Sequence, residues 1–357
     1  MGLWSWILGK GTDGEWGQAA RPRHGPKGPR STADQAVAVL EPPDASATAG
    51  QKELVERWWV PEGATLTEPP EVERLNLSTE ARALENLLVS HFDGHDLRLP
   101  PLLHVAEAVL PRLSNPHCEL ATVANTLAED QVIAAAVLRM ANSPLYRGLH
   151  KTTALRPAIT RLGVRALRML LMHESLRAAM FHSKRGGNEF ANTIWSRSLA
   201  SAYIMRGLSD FTDLNKEDAF LMGLLHDIGN VVVLRIVYGE RIAQRYEIDP
   251  DTFEYLCHEC HQEFGELIAD AWLLPPDLKA LISGHHTYPD PNDPLRNPRL
   301  QLQLTDMINA LLCYTPFVPY NLLESRVVDD LDLAGRDDFT AFLEQLPDQV
   351  DETVGAL

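Results

Sequence analysis

Histidine and aspartate recur through the second half of this 357-residue chain in an order that could assemble a metal site. His226 and Asp227 are adjacent in LMGLLHDIGN, at the end of an apolar run. His261 follows in CHECHQEFGELIADAWLLP, the doublet His285-His286 in SGHHTYP, and Asp306 in LQLQLTDMINALL. Imidazole nitrogen with carboxylate oxygen is a ligand set that suits Zn, Fe, Mn or Ni. On a helix, neighbouring side chains project about 100° apart, so neither member of the His226-Asp227 pair hides behind the other. Left unpaired in a core, each polar group costs roughly 1 to 3 kcal/mol. A metal ion and a closed hydrogen-bond network are the two ways to satisfy the pair, and these residues alone leave both open.

Other candidates are weaker. His95-Asp96 is a second such dipeptide, but Gly94 before it and the prolines after it place it in a loop. Cys257 and Cys260 have C-x-x-C spacing without the second pair that a zinc knuckle needs. Asn142 precedes Ser143-Pro144, where a helix must stop because the residue before proline avoids the helical region, and it reads as a capping residue.

The elements that must position these residues are helical. Leu84, Leu87, Leu88 and Phe92 after Ser78, then Leu102, Val105, Ala106, Val109, Leu110 and Leu113, then Leu120, Val123, Ala124 and Leu127 each make one helix face. VIAAAVLRMAN is apolar nearly all round, which predicts a central helix. Leu155 to Leu171 predicts a helix pair broken at Leu162-Gly163, and the Met-rich run after it a core stripe. FHSKRGGNEFAN is polar with a double glycine, a natural joint between two lobes. A helix around Trp195 follows, then one from about Lys216 to Val237 carrying His226-Asp227, one from Asp251 to Ala271 with His261, and one with Asp306. VVVLRIV is β-branched but has no partner strand nearby, so it too reads as helix. The expectation is an all-α body over residues 92–316, with an N-lobe at about 92–185 and a C-lobe at about 190–316.

The flanks differ from this body. Residues 1–57 are of low complexity, rich in Gly, Pro, Ala and charge from 11 to 50, and cannot bury enough surface to order themselves. MGLWSWILGK is too short and wrongly flanked for a secretory signal, although Trp4 and Trp6 could touch a membrane or a protein. Arg21 to Arg30 reads as the only basic cluster. Residues 58–91 read as a linker and leading helix, and 317–357 as an acidic tail with short helical pieces. A net charge of −17 disfavours nonspecific binding of the folded body to nucleic acid or to anionic membranes and suits basic partner surfaces. No stretch reaches the roughly 18 uninterrupted apolar residues of a membrane span. The cysteines, Cys118, Cys257, Cys260 and Cys313, are too scattered for a disulfide framework and suit a cytoplasmic protein. Oligomeric state is not legible.

The order of His226-Asp227, His261, His285-His286 and Asp306 resembles the metal-dependent phosphohydrolases of the HD superfamily. With LPPLLHVAEAVLPRL, LRMANSPLY, ALRPAITRLGVRALRMLLM, IWSRSLASA, GLLHDIGN and FGELIADAWLLP, the chain resembles one branch of it, the HDOD output domains of bacterial signalling proteins. The resemblance implies a two-lobed helical fold and, for most of that branch, a regulatory module that binds a protein or small ligand without catalysis. The alternative it carries is a phosphohydrolase acting on a nucleotide or cyclic dinucleotide. In that case Asp227 would bridge two ions, with His226 and Asp306 on one and His261, His285 and His286 around the other. The superfamily pattern begins with a further histidine, and the matching position after Trp195 holds Arg197. Arginine has no lone pair to offer a metal, so its guanidinium is expected to act as a resident cation aimed at Asp227, Asp306 or both.

Overall fold

The structure, a computed structural model, describes residues 59, 79–93, 99–115, 117–181, 187–239, 248–316, 318 and 320–354. The low-complexity stretch, Trp4, Trp6, the His95-Asp96 pair and residues 182–186 of the expected interlobe joint lie outside the described residues. Apart from one bridge residue at Tyr320, the regular structure among the described residues is helical.

The first half contributes α1 (Thr79–Asp93), α2 (His104–Leu113), α3 (Leu120–Ala128), α4 (Gln131–Ala141) and α5 (Leu155–Phe181). Asp130 caps α4 by accepting from the backbone N–H of Val132 and Ile133, satisfying donors that a helix start leaves free. This helix is less enclosed than its composition predicts. Ile133, Ala136, Val137 and Met140 are buried against α3 and α5, but Val132 is 61% exposed. The break expected at Leu162-Gly163 is present inside α5, where Gly163 takes φ +74°, a region that favours glycine. Met169, Met172 and Met180 are core residues, as the stripe predicts.

The second half contributes α6 (Asn188–Leu208), α7 (Lys216–Leu225), α8 (Asn230–Gly239), α9 (Pro250–Ala271), α10 (Pro276–Ile282) and α11 (Arg296–Leu311). Asn215 caps α7 and Asp249 caps α9, with Pro250 in the first turn where its missing N–H costs nothing. The run Lys216–Tyr238 is long and apolar enough to cross a membrane, yet 83% of it is buried inside the fold, so it serves here as core.

One apolar core runs from Leu84 on α1 to Ile282 on α10, so helices from both halves share one interior. A second core holds Ala200, Ile204 and Leu208 of α6, Leu300, Leu304 and Ile308 of α11, and residues from two further helices, α12 (Arg326–Asp330) and α13 (Asp337–Val354). The described part of the expected tail is therefore not made only of short pieces. α13 runs for 18 residues and buries Phe339, Leu343, Leu346 and Val350, a spacing of i, i+4, i+7 and i+11 that keeps one face inward while its acids face water. Trp59 is fully buried in the same core, against the C-terminal helices. Helix α6 serves both cores, with Leu199 and Ala202 on one side and Ala200 and Ile204 on the other.

A candidate metal centre

His226 and Asp227 sit between helices. α7 ends at Leu225, residues 226–229 form a turn closed by Ile228 N–H to Leu225 O and Asn230 N–H to Asp227 O, and α8 starts at Asn230. The continuous helix expected from Lys216 to Val237 is thus two helices, although VVVLRIV is helical as expected. Gly229 accounts for the break: a Cβ there would lie 1.9 Å from the carbonyl oxygen of His261, so only glycine lets this turn rest on α9. The same close approach brings Asp227 within reach of His261.

The six expected residues converge. Asp227 Oδ1 lies 3.6 Å from His226 Nε2, 3.5 Å from His261 Nε2 and 3.4 Å from His285 Nε2. His261 Nε2 is 3.3 Å from His285 Nε2 and 3.0 Å from His286 Nε2. Asp306, from α11, places Oδ1 3.3 Å from His226 Nε2. Two triads, His261 with His285 and His286 and His226 with Asp227 and His285, keep their ligand atoms within 4.8 Å of one another. His226, His261 and His285 are buried, whereas the side chains of Asp227 and Asp306 are 15% and 26% exposed and His286 is exposed, so the cluster opens to solvent on one side.

Backbone carbonyls fix the ring orientations. Nδ1 of His226 faces Gly223 O at 2.8 Å, Nδ1 of His261 faces Cys257 O and His258 O at 2.9 Å, and Nδ1 of His285 faces Ile282 O at 3.1 Å. A carbonyl only accepts, so each Nδ1 carries a proton, and the neutral rings among them turn an Nε2 lone pair inward. His261 and His285 then oppose lone pairs at 3.3 Å, a repulsive arrangement unless a cation lies between them. Burial drives the His261 imidazole down to about 4, so His261 itself does not carry a second proton at neutral pH.

The spacing fits an ion. Ligand distances of about 2.0 to 2.2 Å around a tetrahedral centre place neighbouring ligand atoms about 3.3 to 3.6 Å apart. The triangle of Asp227 Oδ1, His261 Nε2 and His285 Nε2 has edges of 3.5, 3.4 and 3.3 Å. On the other side, buried Asp306 Oδ2 has no hydrogen-bond partner. Burial opposes a charge on His226, but Asp227 and Asp306 outweigh it and lift the imidazole to about 9. Burial alone would likewise raise Asp227, yet the surrounding imidazoles hold it well below the usual carboxylate range.

The remaining expected residues behave differently. Arg197 does not hydrogen-bond Asp227 or Asp306. Its Nη2 lies 2.7 and 2.8 Å from the two carboxylate oxygens of Glu254, and its Nε donates to Tyr314 O at 3.2 Å. Glu254 is about two helical turns before His261 on α9, and a side chain on that face offers the guanidinium a nearer carboxylate than Asp227. Arg197 therefore cross-links α6, α9 and the segment after α11, which are supports of the site, and the field of Asp227 reaches it only as a secondary influence. Trp195 packs on His173 and Phe181. Asn142 is structural, exchanging two 2.8 Å hydrogen bonds with the backbone of Thr152. Cys257 and Cys260 join no ligand group among the described residues, and all four cysteines are free thiols. Gln303 was not foreseen: buried on α11, it donates to His285 O at 2.9 Å and anchors the doublet. Its signal lies in LQLQL, where buried glutamines interrupt an apolar face.

Among solved structures, the fold is similar to a protein from Shewanella amazonensis SB2B named "Putative metal-dependent phosphohydrolase". That match has a TM-score of 0.61 and 17% identity, covering 76% of this chain and 100% of that one. An HDOD domain protein of unknown function from Geobacter sulfurreducens gives a TM-score of 0.54 and 23% identity, covering 76% and 98%. An uncharacterized protein of Treponema pallidum (strain Nichols) is 22% identical over 249 residues. The chain spans about half the length of that relative, 47%, and the match covers 67% of this chain. The HDOD domain family itself matches residues 99–288, which takes in the HD turn, His261 and the histidine doublet and stops short of Asp306. With the helical fold, the HD turn and the family match over more than half its length in agreement, this chain belongs to the HDOD domain family.

Proposed function

We propose that this protein is a regulatory signalling module that holds one divalent transition metal, of the Fe, Mn, Zn or Ni class, at Asp227, His261, His285 and His286, and that it acts by binding a signalling protein or small ligand without turnover. The observation that carries the reading is the triangle of inward ligand atoms with edges of 3.3 to 3.5 Å. An ion there would polarise a phosphoryl oxygen and acidify a bound water. The protein supplies the rest. Nδ1–H donors on His261 and His285 hold both rings in one tautomer, Gln303 fixes the doublet through the His285 carbonyl, and Gly229 seats Asp227 against α9.

Binding without turnover is favoured because Arg197 occupies the position matched to the superfamily's first histidine and is committed to Glu254 and Tyr314. His226, Asp227 and Asp306 are then one ligand short for a second ion. Phosphohydrolase activity is the second reading, favoured by the open side at Asp227, Asp306 and His286. A cytoplasmic setting fits four free thiols. Metal analysis of the purified protein, followed by a phosphodiesterase assay with added Mn or Fe, tests the reading. About one ion per chain and no turnover are expected. Turnover that depends on Asp227 selects the second reading, and absence of any ion under both conditions overturns the proposal.

A further inference from the structure

The folded surface carries a basic region besides the cluster expected between Arg21 and Arg30. From Gln131 to His173 the chain has seven Lys or Arg and no Asp or Glu, within a protein of net charge −17. Its most prominent part is the loop between α4 and α5, where Arg147, His150 and Lys151 are exposed, with Arg156 exposed at the start of α5. Among the described residues no carboxylate lies within ion-pair reach of Arg147, Lys151 or Arg156. Two exposed apolar side chains stand among these cations: Leu145 at 48% and Leu149 at 99%.

The loop is built rather than slack. Asn142 and Thr152 clasp its two ends, Arg147 N–H bonds Ser143 O at 2.8 Å, and Arg161 donates to Ala141 O at 3.1 Å and His150 O at 2.9 Å. Arg161 is consumed in holding the loop, which leaves its neighbours to face outward. A leucine held clear of its own protein on a fixed loop loses hydrophobic stabilisation unless something covers it.

We propose that this loop docks the protein on an anionic lipid surface, with Leu149 entering the boundary between headgroups and acyl chains and Arg147, Lys151 and Arg156 meeting lipid phosphates. Cations around an apolar tip match the two layers of that interface. A nucleic-acid backbone satisfies the cations but gives the leucines nothing. A protein partner would need a pocket shaped to a projecting side chain, whereas a bilayer needs none. One carboxylate lies beside the loop, Glu217, which accepts from Tyr146 Oη at 3.0 Å; charges beyond a Debye length of about 8 Å are screened at physiological salt.

The test uses the full chain and vesicles of phosphatidylcholine with and without phosphatidylglycerol. Cosedimentation is expected only with the anionic vesicles and weakens as salt rises. Arg147→Glu with Lys151→Glu is expected to reduce binding at least about tenfold. Leu149→Asp is expected to reduce it several-fold, and Leu149→Trp to show blue-shifted emission on vesicle addition. These positions are exposed, so circular dichroism should match wild type in each variant. No binding to anionic vesicles overturns the proposal. Binding that survives the loop variants also overturns it, and loss on Trp4→Ala with Trp6→Ala would then place the contact at the N-terminus. Tighter binding to duplex DNA that ignores Leu149→Asp assigns the patch to nucleic acid instead.

Discussion

The two sides of Asp227 solve different electrostatic problems. On one side His261, His285 and His286 bring lone pairs together with a single carboxylate oxygen, and His261 is held neutral by its burial. On the other side His226 stands between two carboxylates and keeps its proton up to about pH 9. On the acidic side His226 holds a proton between the carboxylates, whereas on the histidine side His261 is neutral and turns a lone pair towards its neighbours. A cluster that resembles a two-ion site by residue type is therefore read, from its charges, as a site for one ion.

Arg197 marks that asymmetry, and removing it should have the largest effect. Arg197→Ala leaves Glu254 without its partner and is expected to destabilise the fold by about 3 kcal/mol in chemical denaturation. That is the low end for a broken buried pair, because the Glu254 side chain is 31% exposed. Arg197→His sharpens the comparison. If the acidic side lacks only a ligand, metal stoichiometry should rise towards two. A stoichiometry fixed at one would show that the helix presents the new imidazole to Glu254 rather than to the cluster.

Chelation should come next in size. An ion present at a hundred times its dissociation constant stabilises the folded state by about 2.7 kcal/mol. Chelator should lower the melting temperature of wild type accordingly and leave His261→Ala unchanged. A chelator shift of equal size in the variant would move the ion away from the histidine side.

The ion-free protein should also show the two sides in its pH profile. The folded pKa of His261 is depressed to about 4, so the unfolded chain binds more protons below about pH 6.5 and stability falls as pH drops from there towards 4. The folded pKa of His226 is raised to about 9, so the folded protein binds more protons above about pH 6.5 and stability falls as pH rises towards 9. Each limb is worth on the order of 3 kcal/mol. His226→Gln should flatten the alkaline limb and leave the acid limb in place. Loss of both limbs together would contradict separate roles.

The smallest effect is expected from Gln303→Ala. Releasing the His285 carbonyl costs about 1 kcal/mol of stability but about 10- to 100-fold in metal affinity, since outer partners orient the ligands. Unchanged affinity would remove Gln303 from the account.

Much of this was legible in the sequence because apolar periodicity writes helix faces directly. The runs from Leu84 to Leu127 and the glycine break at Gly163 appear where periodicity places them. The cluster was legible because histidine and aspartate are rarely spent in apolar helices without cause. Three things were not. The direction of Arg197 depends on Glu254, 57 residues away, and no local spacing reports it. The turn at His226 depends on the closeness of the His261 carbonyl to Gly229, a tertiary contact. The C-terminal helix was masked by its charge: Phe339, Leu343, Leu346 and Val350 have a helical period, but intervening acids gave it the look of a tail.

Cobalt(II) titration tests the one-ion account most directly, because tetrahedral cobalt absorbs strongly in the visible region and reports both geometry and number. The account predicts a tetrahedral spectrum that saturates at about one cobalt per chain, is lost in His261→Ala and persists in Asp306→Asn. Failure to bind cobalt, or equal loss of the spectrum in both variants, would contradict it.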